Sequence, residues 1–104
     1  MLMRYDRAGD GEPVILLHSG VADRRMWEPQ WARLAAEFDV IRCDFRGYGD
    51  TPLPPGPFTW SDDVADLLDH LGTPSASVVW YTARDVSVSV SATTTFQRSS
   101  DNHS

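Results

Sequence analysis

Three short apolar runs, separated by segments of helical period, leave this chain few folds to choose from. Val14-Ile15-Leu16-Leu17, Val40-Ile41-Arg42-Cys43 and Ala76 to Trp80 are each four or five residues long. Runs of this kind are the mark of strands covered on both faces. Between the first two, Trp27, Trp31, Leu34, Ala35 and Phe38 fall on one face of a helix over Arg24 to Phe38. Asp23 can cap it, and Pro29 allows a later start after Glu28, with the preceding residues in a separate turn. Between the second and third, Val64, Leu67, Leu68 and Leu71 follow the i, i+3, i+4, i+7 spacing of a helix over Asp62 to Leu71. Thr59 or Ser61 caps that helix, and Gly72 and Pro74 stop it. Strand, helix, strand, helix, strand predicts an α/β fold with a mostly parallel sheet, right-handed crossovers and helices on both faces. Met1 to Tyr5 adds a short first strand, followed by a turn through Gly9-Asp10-Gly11.

Size and charge remove several classes of function. At 104 residues the chain has room for one domain with a modest core. A net charge of −6 argues against nucleic acid and against anionic membranes, both of which call for a basic surface. The single Cys43 excludes a disulfide scaffold and suits a reducing compartment. No leader opens the sequence and no apolar run nears the ~20 residues that span a bilayer. The expected location is the cytoplasm.

Composition breaks near residue 80. All seven Gly, all seven Pro and all eight Leu precede residue 75, whereas ten of the 24 residues from Tyr81 onward are Ser or Thr. Residues 1–80 therefore read as the folded part and 81–104 as a Ser/Thr-rich tail. Within that tail Val86 to Ser91 alternates as a half-buried strand does, and Ala92 to Ser104 reads as polar and frayed.

Two turns carry more specific information. Leu16-Leu17-His18-Ser19-Gly20 closes the first parallel strand, and Asp44-Phe45-Arg46-Gly47-Tyr48-Gly49 closes the second. A Pro-rich loop (Pro52, Pro54, Pro55, Pro57) and an acidic-capped helix follow. In this order and spacing, with Asp23-Arg24-Arg25-Met26-Trp27 after the first turn, residues 12–79 resemble the N-terminal part of the α/β-hydrolase family. The resemblance implies a truncated three-layer α/β-hydrolase-like fold and a small-molecule substrate of the ester or lactone type; the residue spacings themselves lead to the expectation of no cofactor and no metal. It also implies that the backbone N–H of Gly20 is one of two oxyanion donors. The other reading of Gly20 is a residue that allows a tight strand-to-helix turn.

His18 could serve as a general base, but the resemblance implies a loop-supporting hydrogen bond, with Ser19 part of the same turn. Asp44 and Arg46 can be read as an acid and an anion clamp; the preferred reading is a turn held by Asp44 hydrogen bonds and an Arg46 ion pair. Gly47 and Gly49 make only half of a dinucleotide fingerprint, with no third Gly and no helix directly after them. His18, Cys43, Asp69 and His70 have no metal-binding spacing. Asp62, Asp63, Asp66 and Asp69 read as a mostly solvated acidic helix face. The four Trp read as packing, and Cys43 as a buried, inert thiol.

The family's nucleophile sits on a Gly-x-Ser-x-Gly elbow after the third of these strands. Here the sequence is Trp80-Tyr81-Thr82-Ala83-Arg84, so Thr82 aligns with the nucleophile while Trp80 and Arg84 replace both glycines. A β-branched residue between large neighbours fits that strained turn badly. The histidine that the Ser…Asp/Glu…His order places downstream has no counterpart but His103, in the polar tail. Two functions from different classes follow. One is an α/β-hydrolase without a working triad, its abrupt change at residue 80 suggesting a truncated or frame-shifted gene. The other is a non-catalytic module that binds a partner, or a second copy, through the open sheet edge at the third parallel strand.

Overall fold

A computed structural model of the chain describes residues 2–18, 20, 22–73, 75–81 and 88–95, the side chains of 75, 80, 81 and 88–95 excepted. Strands β1 (Tyr5–Ala8), β2 (Pro13–Leu17), β3 (Asp39–Cys43), β4 (Ser75–Tyr81) and β5 (Val88–Thr95) form one sheet in the order β1-β3-β2-β4-β5. The central three run parallel, whereas β1 and β5 are antiparallel edge strands. Helix α1 (Glu28–Ala35), entered through a 3-10 turn at Arg24–Trp27, connects β2 to β3. Helix α2 (Trp60–His70) connects β3 to β4.

Alternation along the buried strands divides the core between the two faces. Ile15, Leu17, Ile41, Cys43, Ala76 and Val78 lie on one face with Val64, Leu67 and Leu68 of α2. Val14, Leu16, Val40 and Val79 lie on the other with Trp27, Trp31, Leu34 and Phe38. The result is the expected three-layer arrangement. On the second face a groove of 240 Å³, lined by Val14, Leu34, Phe38, Ser77 and Val79, remains open beside α1.

Local chemistry accounts for the boundaries. The Asp23 carboxylate accepts the Arg25 N–H at 2.9 Å and caps the 3-10 turn. Pro29 stands in the first turn of α1, where its missing N–H has no intrahelical role. Thr59 Oγ1 accepts the Asp62 N–H at 3.1 Å at the start of α2. The helix continues to His70 and Gly72 turns away from it at φ +69°.

Three expectations change, and two open alternatives are decided. The first strand is not Met1 to Tyr5 but Tyr5–Ala8, because its polar residues meet opposite charges across the sheet. Asp6 faces Arg42 at 2.8 Å, and Arg7 reaches Asp39 at 2.8 Å. Of the two starts allowed for the first helix, the later one holds: Arg24–Trp27 form a separate 3-10 turn and the helix begins at Glu28, though it ends at Ala35 and not at Phe38. Asp63 does not belong to a solvated face: it is 3% exposed and bonds Arg46 at 2.6 Å. The strand expected from the Val/Ser alternation, β5, lies along β4 and occupies the edge that would otherwise stay open there. Ser77 pairs with Thr93 and Val79 with Val90, which leaves Ser91 and Ala92 together opposite Val78 as a bulge. The strand thus extends through Thr95, although Ala92 onward was expected to be frayed, and the expected positions 86 and 87 lie outside the described residues.

Candidate active site

The loops after β2 and β3 leave neighbouring parallel strands for opposite faces of the sheet, α1 on one and α2 on the other. A crevice opens at the carboxyl ends of strands where connections diverge in this way. His18 directly follows β2 and is 2% exposed. Its Nε2 accepts the Phe45 backbone N–H at 2.9 Å. Accepting that bond takes up the Nε2 lone pair and places the ring proton on Nδ1. The nitrogen a general base would use is therefore engaged. The ring also lies 4.7 Å from Phe45 and 5.1 Å, edge-on, from Tyr48. His18 joins the turn after β2 to the turn after β3.

Asp44 makes a second connection. Its side chain is 0% exposed and its Oδ1 accepts the Arg24 N–H at 2.7 Å. Oδ2 accepts the Asp50 N–H at 2.9 Å and is paired with the Arg24 guanidinium. Arg24 extends from there to Asp6 at 3.0 Å. Burial works against the Arg24 charge, but hydrogen bonding and attraction to Asp6 and Asp44 reverse this and leave its pKa raised. Asp6 is likewise pushed up by burial, then brought below its ordinary value by Arg42 and Arg24. Arg24 was not singled out by sequence reasoning, since its partner lies 20 positions away.

The segment from Asp44 to Thr51 is rigidly built. Tyr48 N–H donates to Phe45 O at 2.8 Å and Thr51 N–H to Tyr48 O at 3.0 Å. Thr51 Oγ1 donates to Asp44 O at 2.9 Å and accepts Arg4 N–H at 2.8 Å. Gly47 and Gly49 adopt φ of +85° and +51°, which a side chain resists, and a Cβ on Gly49 would overlap the Asp44 carboxyl group. Arg46 is not free to act as an anion clamp. It makes two hydrogen bonds to Asp63 and lies 4.3 Å over the Phe58 ring.

Gly20 is exposed, and among the described residues its N–H makes no hydrogen bond. Its φ is not positive, and among the described residues a Cβ there would meet only Tyr48 Oη within 4 Å, at 3.9 Å. Among the described residues, neither a positive φ nor a close contact requires glycine at this position. Ser19 and Thr82 lie outside the described residues, as does His103. Cys43 is buried at the end of β3, and burial pushes its thiol pKa up to about 12. Among the described residues no three His, Cys, Asp or Glu side chains gather to hold a metal ion. No helix among them is long and apolar enough to cross a membrane.

Against known proteins, the model of the alpha/beta hydrolase family matches residues 14–89, well over half of the sequence. The chain belongs to the alpha/beta hydrolase family. It is 38% identical over 80 residues to a soluble epoxide hydrolase of Corynebacterium sp. (strain C12), covering 74% of this chain and 28% of that one. To a pimeloyl-[acyl-carrier protein] methyl ester esterase of Legionella pneumophila (strain Paris) it is 30% identical, covering 77% and 32%. Among solved structures it is similar to a thermophilic esterase from Thermogutta terrifontis, with TM-score 0.70 and 37% identity over 77% of this chain and 31% of that one. The enol-lactonase from Burkholderia xenovorans LB400 gives TM-score 0.68 and 34% identity, over 77% and 34%. The chain thus spans about a third of the length of these hydrolases. The match continues past residue 80, so the Trp80 to Arg84 segment falls within it.

Proposed function

We propose that this hydrolase-family chain carries the oxyanion-binding side of an ester- or lactone-type site, and that its 104 residues do not turn substrate over. The observation behind this is Gly20, an exposed residue in the loop beyond the carboxyl end of β2 whose N–H makes no hydrogen bond among the described residues. A preorganised N–H in that place stabilises the negative charge that develops on a carbonyl oxygen under attack. His18 and the Asp44–Arg24 pair hold the loop in place and do no proton transfer themselves. The esterase and lactonase relatives support an ester or lactone as the substrate class. The nucleophile is where the reading stops short of an enzyme. Thr82 takes the serine position with Trp80 and Arg84 in place of the glycines. We place the protein in the cytoplasm, on its one buried Cys43.

Titration of 15N-labelled protein with methylphosphonate at constant ionic strength tests the oxyanion site. A saturating shift of the Gly20 amide is expected. A Gly20 amide that stays put while others move contradicts the reading.

The second reading is a non-catalytic module that associates through a sheet edge. It draws on β5, the last strand of the sheet among the described residues. The bulge at Ser91 and Ala92 weighs against it, because bulges disrupt edge-to-edge pairing. Sedimentation as a concentration-independent monomer would rule out its association with a second copy.

A further inference from the structure

We infer that the Tyr48 hydroxyl is a second donor to an oxyanion held at Gly20, an inference that rests on the proposed role of Gly20. Three observations lead there. First, Tyr48 Oη lies 3.9 Å from where a Cβ on Gly20 would stand. N and Cβ on one Cα are about 2.5 Å apart, so Oη and the Gly20 nitrogen are separated by no more than about 6.4 Å. One oxygen accepting from two donors at about 2.9 Å each spans nearly all of that range. Second, Tyr48 is only partly buried and, among the described residues, its hydroxyl has no hydrogen-bond partner. Third, the ring is fixed. It stands edge-on to His18, and its backbone is held on both sides by turn hydrogen bonds between the positive-φ residues Gly47 and Gly49. His18 thereby positions both donors: it follows the strand that leads to Gly20, and it packs against Tyr48.

The ligand this pair fits is a single oxygen of high negative charge, in a carboxylate or a tetrahedral phosphonate. A backbone N–H and a phenol O–H approach it from different segments, which sets its position more tightly than either alone. In the family the second donor is the N–H of the residue after the nucleophile. Tyr48 supplies a donor that does not depend on the Trp80 to Arg84 segment.

The test is the methylphosphonate titration repeated on Tyr48→Phe, with wild-type protein also labelled at tyrosine 13Cζ. Affinity read at the Gly20 amide is expected to fall about tenfold in the variant, the effect of losing one hydrogen bond to a charged group. In wild type, Tyr48 Cζ is expected to move with the same midpoint as Gly20, a readout that does not depend on the variant folding. If Gly20 responds but Tyr48 Cζ does not, or if Tyr48→Phe titrates unchanged, the role of Tyr48 is overturned and that of Gly20 stands. If Gly20 itself fails to respond in wild type, both fall.

Discussion

At Gly49 a Cβ would overlap the Asp44 carboxyl group and the backbone has φ +51°, whereas at Gly20 there is space and φ is not positive. Gly49→Ala should therefore cost about 2 kcal/mol or more, the scale of a strained backbone that its surroundings cannot relieve. Gly20→Ala should stay within about 0.5 kcal/mol of wild type. Urea midpoints of the two variants check both, and a destabilised Gly20→Ala would restore the tight-turn reading of that residue. Asp23 offers a test by acid. Hydrogen bonds from the Arg25 side chain and backbone bring its carboxyl down to about 2, against about 3.9 in an unfolded chain. A depressed carboxyl stabilises the folded state fully above the unfolded pKa and ceases to do so as pH falls through the folded one. The window is pH 4 to 2. Across it the stability of wild type should fall more steeply than that of Asp23→Asn; parallel curves would contradict the assignment.

Between elements, ion pairs do two unlike jobs. Arg46 and Asp63 tie the turn after β3 to α2, with side chains 13% and 3% exposed. Removing the cation leaves a buried carboxylate without its partner, so Arg46→Ala should cost about 3 kcal/mol. Arg7 and Asp39 join β1 to β3 with Arg7 36% exposed, and Arg7→Ala should cost less than about 1 kcal/mol. Thermal or urea unfolding of the two variants separates them, and equal losses would refute the distinction. The sequence made the apolar elements legible because periodicity reports burial directly: Val64, Leu67, Leu68 and Leu71 gave α2 to within two residues at its start and one at its end. Charged strands are different. Tyr5–Ala8 has no apolar alternation, and its partners Asp39 and Arg42 are more than 30 positions away. Arg42 shows the same limit inside a strand, since it is 8% exposed through Asp6, Glu28 and a stack 4.3 Å over Trp31.

Across the molecule, the family could be read from two turns because each sits at the end of a buried parallel strand, where fold and chemistry constrain the same residues. The contacts between those turns could not. His18 and Phe45 are 27 positions apart, Arg24 and Asp44 are 20, and only the folded sheet brings them together. Tyr48 stood within the second motif, between Gly47 and Gly49, but its nearness to Gly20 depends on the His18 contact. What we propose is a chain whose Gly20 N–H, in the loop after β2, is an oxyanion donor, and whose sequence has Thr82 between Trp80 and Arg84 in place of a serine elbow. The most direct test is hydrolysis of p-nitrophenyl acetate by the 104-residue protein beside its Thr82→Ala variant. The account predicts that the two have equal rates, neither clearly above buffer. Turnover well above buffer in wild type that is lost in Thr82→Ala would contradict it, and would make Thr82 the nucleophile of a working hydrolase.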